Sequence, residues 1–173
     1  MSPLAAPILG AALLLVASGV SKVARPSGAV IALHGLGISR RAPAAAVAVG
    51  LGECAVGGAA VVAGGRWLDG ALALMYAGFA VVLTVLLRRG VSSCGCTAND
   101  QTPPSESHLV LVSAIAAAAA GAAIARPVTG IGDLLQGHPG APQVVMLASA
   151  MLTAWCAWAV ITLLPALRPR QVR

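Results

Sequence analysis

Five apolar segments separated by short polar stretches dominate the pattern of this chain. They occupy residues 3–23, 43–65, 69–87, 108–125 and 143–165. A helix needs about 20 apolar residues to cross the hydrocarbon core of a bilayer, and each segment meets or approaches that length. The pattern therefore predicts five transmembrane helices. The fourth is almost entirely alanine from Ala114 to Ala123, so we expect its insertion to depend on packing against the others.

The polar stretches between these segments predict the connections. Residues 25–42 mix apolar, glycine and polar residues, which is typical of a short helix lying at the membrane interface. Residues 66–69 alone separate the second and third spans, so they predict a tight hairpin with its tryptophan at headgroup level. The most polar stretch is 88–107, where Ser105 or Ser107 is placed to cap the fourth helix.

The composition excludes a soluble globular fold. Hydrophobic residues make up 58% of the chain, charged residues 9%, and the mean hydropathy is +0.90. Only 3% of residues are aromatic while 20 are glycine, which favours close approach of helix backbones. We therefore predict an all-α integral membrane protein in a lipid bilayer. Its first segment is interpreted as a retained helix, because no Lys or Arg precedes it as in a signal peptide.

The basic residues lie in the gaps between apolar segments, so they indicate topology and no nucleic-acid partner. Alternate gaps hold nine of them on one side and two on the other: Lys22, Arg25, Arg40, Arg41, Arg88, Arg89, Arg168, Arg170 and Arg173 against Arg66 and Arg126. The positive-inside rule then predicts a plasma-membrane protein with its N-terminus outside and its C-terminus in the cytoplasm. The loop that follows the third span is predicted to be cytoplasmic as well.

That loop contains a closely spaced cysteine pair, Cys94-Gly95-Cys96, just after Arg88 and Arg89. Residues two apart can approach closely enough for a disulfide, although the small ring is strained and therefore easily reduced. Neighbouring Arg charge favours the thiolate, which is the nucleophilic and metal-binding form. The spacing is compatible with a redox couple, with half of a soft-metal site, or with two loop cysteines that have no role.

Glu53 is the one acidic residue inside the second predicted span. Insertion of an ionised carboxylate at mid-membrane costs about 2.5 kcal/mol or more, so Glu53 must face the bundle or carry a proton. One reading is an interhelical anchor that bonds to Ser18, Ser21 or Lys22. The other reading is a proton or ligand site.

The remaining thiols and imidazoles carry less information. Cys54 and Cys156 lie within apolar spans and are interpreted as small buried hydrophobes, held in reserve for a thiol relay. His34, His108 and His138 are scattered without partners at ligand spacing, so no metal site is predicted. No haem, flavin or nucleotide motif occurs either, and no cofactor is predicted.

Three features in order resemble the MauE branch of the DoxX-like membrane proteins over about residues 4–125. They are the segment from Ser18 to Lys22, Glu53 in the second span, and Arg88-Arg89-Gly90 followed by the Cys-Gly-Cys pair. The resemblance implies a four-helix transmembrane bundle over 1–126, with 127–173 adding a loop, a fifth C-terminal helix and a basic tail. Where the family commonly has Phe-Gly after the cysteines, this chain has Thr97-Ala98.

MauE is implicated in maturing methylamine dehydrogenase, a disulfide-rich enzyme, so the resemblance implies thiol–disulfide chemistry. Lys22, Glu53, Cys94 and Cys96 are the positions that carry over. We therefore expect a redox-accessory protein that exchanges with a partner protein or a small thiol. The rival expectation is a non-catalytic scaffold or small-molecule transporter that depends on Glu53. The sequence leaves the substrate and the oligomeric state open.

Overall fold

A computed structural model describes residues 5–91, 93–95, 104–125, 144, 147–156 and 159. The helices within these residues are α1 (Ala5–Ala24), α2 (Ser27–Gly35), α3 (Ala42–Val62), α4 (Arg66–Arg89), α5 (Glu106–Ala125) and α6 (Leu147–Cys156). Helices α1, α3, α4 and α5 are long and apolar enough to cross a membrane. The all-α fold with four such helices is thus confirmed.

The fifth predicted span contains α6, of which the described residues Leu147–Cys156 are fewer than a membrane crossing needs. Its described part packs on α1, where Ala5, Leu9 and Ala150 form a small buried cluster. A Cβ atom on Gly10 would lie 2.9 Å from the Ala150 carbonyl oxygen, so a glycine is required for this close approach. The rest of the predicted span 143–165 falls largely outside the described residues.

Helices α1 and α3 form an antiparallel pair in very close contact. Gly19 faces Gly50 near one end of the pair, and Ala12 faces Gly57 toward the other. A Cβ atom on Gly57 would lie 2.8 Å from the Ala12 carbonyl oxygen, closer than real Cβ atoms approach. Because Gly19, Gly50 and Gly57 have no side chain, the two backbones approach closely, as in other membrane helix pairs with small residues at the interface.

Gly57→Ala is therefore expected to lower the free energy of unfolding by about 1–3 kcal/mol, the usual cost of overpacking. Neighbouring Gly58 gives the matched control, because a Cβ atom there meets nothing within 4 Å. Thermal unfolding of the purified protein in detergent should show a lower Tm for Gly57→Ala and an unchanged Tm for Gly58→Ala. Equal Tm values in the two variants would contradict the tight α1–α3 contact.

A tight turn joins α3 and α4 as predicted, but it lies at residues 63–65, so its predicted position at 66–69 was wrong. Gly64 and Gly65 have φ angles of 62° and 97°, a left-handed conformation that glycine adopts without steric cost. The two glycines reverse the chain, and α4 begins immediately at Arg66. The exposed Trp67 therefore lies on the first turn of α4, with the Arg66 guanidinium 4.5 Å from its ring centroid.

Helix α4 contacts both α5 and the α1–α3 pair. It packs along α5, and its Tyr76 hydroxyl donates a 2.7 Å hydrogen bond to the Ala11 carbonyl of α1. Ser105 caps α5 as predicted, since its Oγ accepts a 3.2 Å hydrogen bond from the backbone N–H of His108. The Tyr76 hydrogen bond thus links α4 to α1.

The short helix predicted within 25–42 is also present, as α2. It lies where α1 ends, α3 begins, α4 ends and α5 begins, and we call this end of the bundle the α2 end. Gly28, Ala29 and Ala32 are buried, and Arg89 of α4 donates a 2.6 Å hydrogen bond to the Gly35 carbonyl at the C-terminus of α2. The basic residues from Lys22 to Arg41 and the pair at 88–89 all belong to the α2 end.

Candidate functional site

A buried ion pair joins α1 and α3. The Lys22 Nζ atom lies 2.8 Å from Oε1 of Glu53 and donates a 2.9 Å hydrogen bond to its Oε2. Glu53 is fully buried and Lys22 is 6% exposed. Ser18, one turn before Lys22, accepts a second hydrogen bond of 2.6 Å from the same ammonium. The structure thus brings together three of the polar residues singled out in the sequence.

The geometry of an antiparallel helix pair explains this meeting. Gly19 lies opposite Gly50, so Lys22 is level with residue 47 and about 9 Å along the axis from Glu53. Helical Cα–Cβ bonds tilt toward the N-terminus of their own helix. The Lys22 side chain therefore leans into the bundle while that of Glu53 leans toward the α2 end, and the two cover the separation together.

An aromatic ring from α4 completes the surroundings of the ammonium. The Phe79 centroid lies 5.4 Å from Lys22 Nζ, within the range of a cation–π contact. Tyr76 meets Phe79 edge to face, with centroids 5.9 Å apart and an interplanar angle of 85°. Because Tyr76 is itself bonded to α1, the ring that faces Lys22 is held in place.

The segment from Ser93 to Gly95 lies against α2. The Ser93 hydroxyl donates to the Gly28 carbonyl at 3.4 Å and accepts from the Gly95 backbone N–H at 3.3 Å. Gly95 has a φ angle of 66°, and a Cβ atom there would lie 2.9 Å from the Ala29 Cα atom. The residue between the two cysteines must therefore be glycine both for its backbone conformation and for its contact with α2.

A cavity of about 100 Å³ lies between α1, α2, α3, α4 and this segment. Lys22 and Cys94 both line it, together with apolar side chains that include Leu33, Phe79 and Leu83. Cys94 itself is 4% exposed. We call this space the Lys22–Cys94 cavity. It is the feature that connects the buried ion pair with the cysteine motif.

Ser21, Cys54 and Cys156 do not line this cavity. The Ser21 hydroxyl donates to the Ser18 carbonyl at 2.7 Å, and Cys54 is half-buried with its Sγ 3.8 Å from the Val16 carbonyl oxygen. Cys156 is exposed on α6. Cys96 lies outside the described residues. Arg89, expected to act on the cysteines, bonds to the end of α2.

Sequence reasoning missed Phe79, which lines the cavity, and Ser93, which holds the segment from Ser93 to Gly95 against α2. The only phenylalanine of the chain, one turn after its only tyrosine, was a usable signal in so aromatic-poor a sequence. Ser93 had no comparable signal, because its role depends on where α2 folds. Among the described residues no group of three His, Cys, Asp or Glu side chains could hold a metal ion.

The family model of methylamine utilisation protein MauE matches residues 2–126, which include α1 to α5 and the cysteine pair. No curated protein and no solved structure matches the chain. The MauE resemblance read from the sequence is confirmed, while the wider DoxX-like grouping stays a prediction.

Proposed function

This chain belongs to the methylamine utilisation protein MauE family, and on that premise we propose that it is a membrane redox-accessory protein whose Cys94 and Cys96 alternate between dithiol and disulfide. The observation that carries the proposal is the position of Cys94. It lines an apolar cavity together with a buried ammonium group, and its neighbour Gly95 has a φ angle of 66° and packs against α2. A cysteine in a solvated loop would have neither feature.

The proposed exchange conserves atoms and electrons. A thiolate of a partner protein or small thiol attacks the Cys94–Cys96 disulfide, so that one S–S bond breaks and a mixed disulfide forms. The second thiol of the partner then attacks the mixed disulfide and releases the reduced pair. Two electrons and two protons have passed from the partner dithiol to this protein. The reverse sequence would reduce a partner disulfide.

Measuring the redox state of Cys94 and Cys96 tests this proposal directly. The membrane protein is alkylated with a mass-tagged maleimide in cells before and after reduction, in the Cys54→Ser/Cys156→Ser background so that only the pair reports. We expect a fraction of molecules that gain two tags only after reduction. Complete tagging without reduction, in every growth condition, would contradict the exchange.

The same family assignment supports a multi-pass membrane protein, and we propose the N-out, C-in orientation for it. A reporter fused after Arg173 is expected to read cytoplasmic, because nine basic residues lie on that side against two on the other. A tag placed in 97–104 tests the side of the cysteine pair separately. An external reading at Arg173 would overturn the orientation.

A transporter that uses Glu53 is the second candidate, and the buried ion pair favours it. Charges inside a membrane bundle are costly, and they often mark ion or substrate pathways. If this role is correct, flux of a solute into vesicles containing the protein should depend on Glu53 and persist when both cysteines are serine. If the double serine variant loses thiol–disulfide exchange and no Glu53-dependent flux is found, the redox role is favoured.

A further inference from the structure

The burial of Cys94 restricts what can reach its sulfur atom. Only 4% of the residue is exposed, and α1, α2, α3 and α4 all contribute side chains to the partly open cavity that it lines. An opening into so small a cavity admits a small molecule more readily than the surface of a protein. A small apolar molecule inside the cavity would touch both Cys94 and Lys22.

We propose that the Lys22–Cys94 cavity binds the carbonyl edge of a lipid-soluble quinone, which accepts the electrons of the cysteine pair. The inference rests on the proposed function and names its electron acceptor. The walls supply the first argument, because they are formed by side chains such as Ala32, Leu33 and Leu83 and offer little to a charged or hydrophilic oxidant. The chemistry of Lys22 supplies the second.

Lys22 has three N–H donors. Two of them bond to Ser18 Oγ and Glu53 Oε2, while Oε1 of Glu53 lies 2.8 Å from Nζ without accepting a hydrogen bond. A ligand carbonyl would take the third N–H in competition with Oε1. Because Glu53 balances its charge, the ammonium can stay in an apolar site and donate a hydrogen bond to a neutral carbonyl. An anionic ligand would have to displace that arrangement.

The size of the cavity defines how much of a quinone enters. An engineered cavity of about 150 Å³ holds a benzene ring. The Lys22–Cys94 cavity, at about 100 Å³, therefore accepts one edge of a ring, and the opposite edge and its hydrocarbon tail extend beyond it. A quinone carbonyl at the edge that enters the cavity then lies beside the Lys22 ammonium and the Cys94 sulfur atom.

The proposed step is balanced. The reduced pair loses two S–H bonds and gains one S–S bond between Cys94 and Cys96. Its two electrons and two protons pass to the two carbonyl oxygens of the quinone, which leaves as a quinol. The regenerated disulfide can then oxidise the next partner dithiol, so no further oxidant is needed.

The test uses the reduced full-length protein in detergent without oxygen, with ubiquinone-1 as the probe because its fully substituted ring does not add to thiols. Quinol formation and loss of maleimide-reactive thiols are followed together. We expect one quinol for each disulfide formed. Ubiquinone-1 should also slow the alkylation of Cys94 by N-ethylmaleimide in the Cys96→Ser variant, where no disulfide can form.

Two adjacent valines give matched variants. Val82 lines the cavity, whereas Val81 is 64% exposed on the outer face of α4. Val82→Trp should slow quinone-dependent oxidation by about ten-fold or more, since filling the site costs at least about 1.4 kcal/mol of binding, and Val81→Trp should not slow it. Thermal unfolding confirms that both variants are folded.

The outcomes separate this inference from the proposed function. If the pair forms a disulfide and exchanges with a dithiol peptide, but ubiquinone-1 neither oxidises it nor protects Cys94, the quinone site is wrong and the exchange role stands. If the pair never forms a disulfide, the proposed function fails first. Equal oxidation in the Val81 and Val82 variants would place the quinone elsewhere and overturn the proposal.

Discussion

Glu53→Leu is expected to lower the free energy of unfolding by about 3–5 kcal/mol, because it leaves the buried Lys22 ammonium without its counter-charge. The ion pair is almost completely shielded from solvent, and no other carboxylate forms an ion pair with Lys22 among the described residues. The Ser18 hydroxyl and the Phe79 ring remain, but neither carries a negative charge. We expect the Tm in detergent and the yield of inserted protein to fall together.

Two further variants separate charge from shape. Glu53→Gln keeps an acceptor of similar size, so it should lose less stability than Glu53→Leu if hydrogen bonding is the main contribution. The double variant Lys22→Met/Glu53→Leu removes both charges, and replacing a buried pair with apolar residues is often neutral. It should recover most of the Tm lost in Glu53→Leu.

Each result of this series has a definite meaning. Equal losses for Glu53→Gln and Glu53→Leu would show that the ionised carboxylate is needed and hydrogen bonding alone is insufficient. A double variant that is no more stable than Glu53→Leu would contradict the view that an uncompensated charge causes the loss. Normal stability in all variants would leave Glu53 without the structural role assigned to it.

The sequence predicted that Glu53 either faces the bundle or carries a proton, and it was insufficient to choose a partner for the side chain. Composition and segment length placed the carboxylate inside a span, and Ser18, Ser21 and Lys22 were all candidate partners. The choice depends on the axial register of α1 and α3, which the contact between Gly19 and Gly50 fixes. Such a register follows from three-dimensional packing and is not encoded in spacing along either helix.

The cysteine loop shows a similar limit. The pair and its intervening glycine were recognisable from spacing, and so was a short helix within 25–42. Nothing local indicated that α2 would pack against Ser93 and Gly95 and bury Cys94, since these residues are more than 50 positions apart. The position of the α3–α4 turn was wrong for a local reason, because the glycines at 64 and 65 were assigned to an apolar span.

Cys94→Ser and Cys96→Ser should each abolish dithiol oxidation while leaving the protein inserted, because one remaining sulfur cannot form the internal disulfide. The measurement uses the oxidised protein and a fluorescent peptide with two cysteines, and it follows formation of the peptide disulfide. Cys54→Ser and Cys156→Ser are the matched controls and should stay close to the unsubstituted protein. Cys54 is half-buried against α1 and Cys156 is exposed on α6, so neither shares the cavity with Cys94.

One of the two loop variants should also accumulate a mixed disulfide with its partner, because the missing thiol is the one that would resolve the intermediate. The burial of Cys94 makes Cys94→Ser the variant expected to trap a protein partner, since the remaining Cys96 thiolate attacks a partner disulfide, releases one partner thiolate and has no second thiol to resolve the adduct. Cys96→Ser should form adducts with small disulfides in preference to protein disulfides. Non-reducing gels and mass spectrometry distinguish the adducts. Trapping of a protein through Cys94 in the Cys96→Ser variant would show that the Cys94 sulfur becomes accessible to a protein during exchange. Full activity of the double serine variant would exclude the redox role.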